Sequence, residues 1–389
     1  MPHIIQYMPS NIVGRFASLL IAFGLVWAPC SLTAQVVRGD VVDSTSGMPV
    51  ARGFVVLLDA MGNEVARSLS SGEGRFSLQA PVAGMYQLRS ERIGFRASVS
   101  EFLRLADGGP VDFTLRVAAL PVRLSAVVVA GPGRCNANPD EGANTVLIWE
   151  EIRKALAASV WGDEQELFHY RQYTYRRSWN ERRNHKIEEL LATRSGVAEP
   201  PFRSIPAARL ARDGYIADRS DGTWYYLPDA QTLLDKEFLG AHCFHVVRDE
   251  NDRLGQVGLA FEPMSDRPLP DVEGALWLDE ETSELRELEV RHTRVSYDVR
   301  DSRIGGNVRF LMLPSGAWRV REWQVRTPRI EVTEHPRYPR GYRGDVVGIT
   351  DTGGEVFAVS ARDGATVFET SLATVTGSVF DSTSGAPLK

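Results

Sequence analysis

Short apolar segments alternate with turn residues over the first part of the chain. Between residues 36 and 117, runs rich in Val, Leu and Phe are separated by Gly, Ser, Asn and Pro. Brief alternating runs at this spacing are typical of a β-sandwich. We predict about seven strands, at Val36–Val42, Gly53–Asp59, Glu64–Leu69, Arg75–Leu78, Met85–Glu91, Ala97–Leu105 and Val111–Val117.

The middle of the chain mixes helical and strand patterns. Asn144–Ala158 has apolar residues at helical spacing, and Asp229 can cap a second helix that extends to Leu239. Leu167–Trp179 alternates as a long aromatic strand, whereas Arg182–Leu191 fits either a strand or a helix. Two shorter features are a helical turn at Pro206–Arg212 and a hairpin at Tyr215–Tyr226.

Beyond Cys243 the pattern indicates strands alone, joined by short polar turns. We predict a large antiparallel meander, which makes the chain mainly β and its second part an α+β domain with two or three helices. The strands are His242–Asp249, Val257–Phe261, Gly274–Asp279, Leu285–Tyr297, Asn307–Leu313 and Trp318–Thr327, and Tyr342–Gly364 is a final hairpin that turns at Thr352-Gly353-Gly354.

One segment occurs twice. Residues 39–50, from Gly39 through Asp43-Ser44-Thr45-Ser46-Gly47, return in similar form at residues 377–388. A lone strand cannot bury its apolar face. Either the chain is the front part of a longer protein with a second sandwich, which we favour, or the second copy pairs elsewhere.

The first module resembles the carboxypeptidase regulatory-like domain. The residues that carry the resemblance are Gly39-x-Val41-x-Asp43, Gly47-x-Pro49, Gly72-x-Gly74-x-Phe76-x-Leu78, Gly84-x-Tyr86-x-Leu88 and Gly94-Phe95. The resemblance implies a seven-stranded transthyretin-like sandwich, a carbohydrate-binding-like fold, without catalytic residues. Such domains commonly precede outer-membrane receptors in exported bacterial proteins.

Two further resemblances concern the rest of the chain. Gly274–Asp279, Gly306–Phe310 and Gly316–Trp323 are similar to the outer-membrane lipoprotein carrier family, over about residues 164–329. That resemblance implies a curved antiparallel sheet around helices, with an apolar groove. Leu124–Gly131 resembles the approach to the plug of TonB-dependent receptors, although a last edge strand is the alternative that we favour.

The N-terminus indicates export. Arg15 precedes the apolar run Phe16–Ala28, and small residues follow as far as Ala34, which is typical of a cleaved secretory signal. Cys30 offers a lipidation site, but the residues before it match that signal poorly. The expected organisation is a signal peptide at 1–34, the sandwich at 35–118, a linker at 119–143, the α+β domain at 144–368 and a truncated repeat at 369–389.

Two cysteines, Cys135 and Cys243, remain after removal of the signal. In an exported protein a disulfide between them is the expected state, and two unrelated thiols are the alternative. The bridge would close a loop of about a hundred residues and stabilise the fold by about 4–5 kcal/mol in the chain-entropy model.

No catalytic constellation emerges from the sequence. His185 and Glu188 have the spacing of a zinc peptidase pair, with His292 as a distant third ligand, but His185 lies in a charged run. His242 and His245 flank Cys243, and on a strand they should point to opposite faces. We therefore expect no catalytic, cofactor-binding or metal-binding residues, with a zinc hydrolase as the remote alternative.

Composition limits the class of partner. A net charge of −6 does not favour nucleic acid. Arg171–Arg183 could line an anion or glycan surface, but a half-buried strand with exposed arginines is favoured. Three tryptophans could stack on sugars, but we expect them in the core of the sheet: Trp277, Trp318 and Trp323. The sequence therefore predicts a non-enzymatic envelope protein of the periplasm, outer membrane or cell surface. It would bind an envelope protein, an apolar ligand or a glycan. Peripheral association with the outer membrane and a role beside a TonB-dependent receptor are further possibilities.

Overall fold

The computed structural model describes residues 35–106, 109–119, 139–180, 182, 185–197, 204–219, 222–249, 251–264, 267–295, 304–314, 316–334 and 342–370. The expected signal peptide, Cys135 and the second copy of the repeated segment lie outside the described residues. Export, the disulfide and the truncated repeat therefore stay predictions.

The described residues are mainly β, with 57% in strands and 14% in helices, as predicted. The first module contains β1 (Gln35–Asp43), β2 (Phe54–Leu58), β3 (Glu64–Leu69), β4 (Arg75–Ala80), β5 (Gly84–Glu91), β6 (Ser98–Val99), β7 (Leu103–Leu105) and β8 (Val111–Val117).

The second part contains four described helices and twelve described strands. They are α1 (Pro139–Glu164), β9 (Phe168–Asn180), β10 (Lys186–Val197), α2 (Ala207–Asp213), β11 (Ile216–Arg219), β12 (Gly222–Tyr225), α3 (Ala230–Leu234), α4 (Lys236–Ala241), β13 (His242–Val247), β14 (Gln256–Pro263), β15 (Val272–Asp279), β16 (Leu285–His292), β17 (Gly305–Met312), β18 (Trp318–Glu334), β19 (Tyr342–Ala361) and β20 (Thr366–Glu369). None of the described helices is long and apolar enough to span a bilayer.

The first module is the predicted sandwich. One sheet has the order β4-β1-β8, and the other has the order β3-β2-β5-β6 with β7 also on β5. Valine, leucine and aromatic side chains from both sheets fill the space between them, as alternation along each strand predicts. The predicted strand Ala97–Leu105 is two short strands, β6 and β7, that both pair with β5.

The structure explains the repeated segment at its first copy. β1 runs parallel to β8, and a side chain at Gly39 would overlap the carbonyl oxygen of Phe113. Asp43 ends the strand by accepting hydrogen bonds from the backbone of Thr45 and Ser46. Gly47 then turns the chain at a φ of 70°, a conformation that favours glycine. The motif therefore specifies a strand beside a close neighbour and the tight turn that ends it.

The second part is organised by one ten-stranded sheet, with the order β10-β9-β19-β18-β17-β16-β15-β14-β13 and β20 on β19. β13 to β19 form the predicted antiparallel meander. β9 and β10 extend the same sheet because β9 pairs with β19. The four described helices contribute to or lie beside the apolar core on one face, and the opposite face is polar.

Two predicted elements were wrong in detail. The helix expected from Asp229 to Leu239 is two helices, because Asp235 has extended backbone and caps α4 through a hydrogen bond from the N–H of Glu237. The hairpin expected at Thr352-Gly353-Gly354 does not form, because these residues lie within the continuous strand β19. A side chain at Gly353 would overlap the ring of Tyr175, so the glycines admit cross-strand packing here and do not mark a turn.

β2 joins the sandwich to the rest of the molecule, because all five of its residues are buried. Val55 and Leu57 belong to the sandwich core, whereas Phe54, Val56 and Leu58 belong to the core that also contains residues of α1. Each such side chain contributes about 2 kcal/mol when buried. α1 begins inside the segment expected as a linker.

The interior between the helices and the sheet is closely packed. The cavity there, beside Leu233, Leu288 and Val308, measures about 80 Å³. Pockets that hold drug-sized ligands measure about 300–1,000 Å³. The apolar groove implied by the carrier resemblance is therefore not present at this position, and that resemblance is not confirmed.

Candidate functional site

A row of residues crosses the polar face of the large sheet, at right angles to its strands. Each member pairs with the next across neighbouring strands. We call it the central row: His245, Ala260, Ala275, Glu289, Asn307, Gln324, Gly353, Tyr175 and Leu191. Because strands lie about 4.8 Å apart, the row spans nearly 40 Å in all.

A second row runs beside it and is charged. It contains Glu273, Arg291, Gly305, Arg326, Asp351, Arg177 and Glu189 in that order. Opposite charges meet across strands, with Arg291 Nε 2.6 Å from Glu273, Arg326 Nε 2.7 Å from Asp351 and Arg177 Nε 2.5 Å from Glu189. Cross-strand pairs of this kind stabilise a sheet by a fraction of a kcal/mol each.

Between the two rows lies an open groove of about 530 Å³, which we call the outer-face groove. Ala275 contributes one of the short side chains at its middle, and longer polar side chains surround it. They are His245, Glu262, Glu273, Glu289, Arg291, Asn307, Gln324 and Arg326. Carboxylate, amide, imidazole and guanidinium groups therefore meet within one groove.

Several of these groups retain hydrogen-bonding capacity. Oε1 of Glu262 is buried and has no partner among the described residues. Asn307 uses Nδ2 to donate to Glu287 at 2.9 Å, which leaves its carbonyl oxygen as an acceptor. Buried polar atoms are normally paired, so the unpaired Glu262 oxygen marks the groove as a place for a polar ligand or ordered water.

Trp277 supports one side of the groove. Its Nε1 donates to Glu289 at 3.1 Å, and Arg253 lies 4.6 Å from its ring centroid. The ring is 6% exposed, so it is covered by its neighbours and does not offer a free stacking surface. Trp318 and Trp323 lie in or against the apolar core, as favoured. Trp277 was expected in the core as well, but it is buried beside Glu289 on the polar face of the sheet.

The histidines beside Cys243 point to opposite faces, as predicted. His242 lies in the core, where its ring stacks on Phe238 at 4.1 Å and lies 3.2 Å from Asp271. Burial alone would raise the pKa of Asp271, but His242, the Val272 N–H and Arg267 together hold it below its usual value. His245 belongs to the outer-face groove, so the two rings cannot share a ligand.

The residues of the zinc hypothesis are not brought together. His185 and Glu188 are exposed at the start of β10. His292, on β16, is buried and its Nε2 donates to the carbonyl oxygen of Tyr226 at 2.9 Å. Five strand spacings separate β10 from β16, about 24 Å. No group of three or more potential metal ligands occurs among the residues that the structure describes.

The remaining candidates have mixed outcomes. Arg171 and Arg176 of β9 are exposed, so the aromatic strand is half-buried with arginines facing solvent, as favoured. Cys243 is half-buried on β13. Cys135, its predicted partner, lies outside the described residues, so the bridge stays a prediction. The outer-face groove was missed, because alternation shows which residues share a face but register decides which of them meet.

The comparisons with known proteins identify the first module. Residues 36–118 match the carboxypeptidase regulatory-like domain. No curated protein matches the chain.

Likenesses to solved structures are remote. The chain is 14% identical to the group B streptococcus pilus 2b backbone protein, over 22% of this chain and 41% of that chain, with a TM-score of 0.19. It is 18% identical to Klebsiella pneumoniae 5-hydroxyisourate hydrolase, over 22% of this chain and 90% of that chain, with a TM-score of 0.19. It is 9% identical to a putative carbohydrate binding protein from Bacteroides uniformis, over 60% of this chain and 92% of that chain, with a TM-score of 0.19. The chain thus spans less than half of the pilus protein, and these likenesses assign no ligand or activity. The family match identifies residues 36–118 as a carboxypeptidase regulatory-like domain.

Proposed function

We propose that this chain is a non-enzymatic, exported binding protein that holds a hydroxyl-rich ligand, a glycan of the cell envelope, in the outer-face groove. The observation that carries the proposal is the meeting of amide, carboxylate and guanidinium groups from five adjacent strands in that groove. Export and an envelope location rest on the apolar run Phe16–Ala28.

The chemistry of the groove favours a sugar over an apolar ligand. Sugar hydroxyls both donate and accept hydrogen bonds, and the groove offers donors on Arg291 and Gln324 beside acceptors on Glu262 and Asn307. A volume of about 530 Å³ lies in the range of small-molecule sites. The close packing on the other face of the sheet leaves an acyl chain no comparable space.

The arrangement supports binding rather than catalysis. Glu273 and Glu289 both contact arginines, Glu273 with Arg291 and Glu289 with Arg253. Both carboxylates are thus already engaged in ion pairs with neighbouring side chains. The regulatory-like domain belongs to a family of accessory modules, and here it would position the sheet domain.

Titration calorimetry tests the proposal. The probes are oligosaccharides released from Gram-negative peptidoglycan and from lipopolysaccharide core. Asn307→Ala with Gln324→Ala removes two amides, and each lost hydrogen bond should weaken binding by about 1 kcal/mol, roughly fivefold. Arg104→Ala, on the sandwich, is the matched control. Absence of binding to both glycan classes, or binding unchanged in the double variant, would refute the proposal.

A further inference from the structure

A second cavity lies where the sandwich meets the sheet domain, away from the outer-face groove. It measures about 210 Å³. The sandwich contributes Arg52 and Arg92, and the sheet domain contributes Thr282, Gly316 and Trp318. A ligand in this cavity would therefore contact both parts of the chain.

The cavity carries excess positive charge. Neither Arg52 nor Arg92 forms an ion pair with a described residue, and the guanidinium of Arg92 lies 4.5 Å from the ring centroid of Phe95. Burial, and secondarily the charge of Arg52, lower the pKa of Arg92. Both arginines line the same cavity, and the charge of Arg52 acts on the guanidinium of Arg92.

The other charges around the cavity are already matched. Lys154 Nζ donates to Glu151 at 2.6 Å and to two backbone carbonyl oxygens. Glu91 is paired with Arg89 at 2.9 Å and with Arg153 at 3.1 Å. Glu284 likewise pairs with Arg286 at 3.0 Å. The uncompensated charge is therefore that of Arg52 and Arg92.

The backbone holds Arg52 at this position. Its φ is 63°, in the left-handed region that a residue with a long side chain seldom adopts. Gly316 faces it closely, since a side chain there would overlap Arg52. Unfavourable backbone conformations of this kind concentrate at ligand sites, and Arg52 lies at the junction of the two modules.

We propose that this cavity is an anion site that binds a phosphate group between Arg52 and Arg92. Arginine matches phosphate oxygens with paired N–H donors. A water molecule occupies about 30 Å³ of liquid, so about 210 Å³ admits a phosphate with a few attached atoms. Because the ligand would touch both modules, its binding should stabilise their association.

The test is calorimetric titration of the whole mature chain with inorganic phosphate at constant ionic strength set by chloride. We expect binding to the wild type and a rise in melting temperature. Arg52→Asn, in which asparagine tolerates the same φ, and Arg92→Met, which keeps an apolar stem, should each weaken binding by about tenfold or more. Arg96→Gln, a nearby exposed arginine, is the control and should bind as the wild type does.

A second arm with glycerol 1-phosphate distinguishes the source of the phosphate group. Tighter binding than inorganic phosphate supports a phosphate carried by a larger envelope molecule, and equal or weaker binding supports the free ion. Circular dichroism melts without phosphate show whether each variant folds. Equal effects of phosphate and chloride, or unchanged affinity in both folded arginine variants, would overturn the proposal and would leave the glycan proposal for the outer-face groove untouched.

Discussion

Nζ of Lys154 lies 2.6 Å from Oε1 of Glu151 on the sandwich-facing side of α1, and both side chains are 3% exposed. Lys154 also donates to the carbonyl oxygens of Arg92 and Phe95, at 3.1 and 2.7 Å. Oε2 of Glu151 accepts from the N–H of Gly94 at 2.8 Å. One helix turn therefore satisfies the polar backbone of a sandwich loop, and the buried pair attaches the sandwich to α1.

Loss of one member of this pair should destabilise the chain strongly. Lys154→Met leaves Glu151 buried without its cation, and breaking a buried pair in this way costs about 3–5 kcal/mol. Urea unfolding measures the effect. Arg38→Ala removes one partner of an exposed pair with Asp112, and should leave the midpoint nearly unchanged. A Lys154→Met midpoint equal to that of the wild type would show that the pair does not secure the interface.

The close approach of β1 and β8 makes Gly39 sensitive to substitution. Gly39→Ala places a methyl group against the carbonyl oxygen of Phe113, and overpacking of this kind costs about 3 kcal/mol. Gly72→Ala is the matched control, because a side chain there meets open space. Thermal melts of the two variants should differ clearly. Equal melting temperatures would contradict the role assigned to Gly39.

His292 should give the fold a measurable dependence on acid. Burial lowers its pKa from 6.5 to about 4. Between these pH values the unfolded chain binds a proton at His292 that the folded chain does not. The free energy of unfolding is therefore highest above pH 6.5 and falls as the pH drops toward 4, by about 3 kcal/mol in total.

His292→Gln keeps a donor for the carbonyl oxygen of Tyr226 and should reduce this slope. Urea unfolding at several pH values between 4 and 7 measures it. The control His185→Gln changes an exposed histidine, and should retain the wild-type profile. Identical profiles for all three proteins would exclude His292 as the source.

The predicted bridge between Cys135 and Cys243 can be tested chemically. Non-reducing peptide mapping of exported protein should show the two peptides linked, and Cys135→Ser should lower stability by about 2–5 kcal/mol. In that variant Cys243 should react with a thiol reagent after denaturation, whereas the wild type should not. Two free thiols in the wild type would refute the bridge.

The sequence by itself determined the elements whose signals are local. Alternation and turn residues defined the sandwich strands, the family motifs identified residues 36–118, and the meander from β13 onward followed from period-two runs. Local signals sufficed because a strand's inward face and a turn's φ depend on nearby residues.

Only the tertiary structure decided how these elements meet. The sequence pattern predicts a turn at Gly353 and Gly354, but both residues lie in β19. The reason is that Tyr175, which is distant in the sequence, packs over Gly353. The outer-face groove depends on strand register within one sheet, and the Arg52–Arg92 cavity depends on the docking of two modules. Such sites join residues distant in sequence, and single-chain patterns carry no information about which distant strands become neighbours.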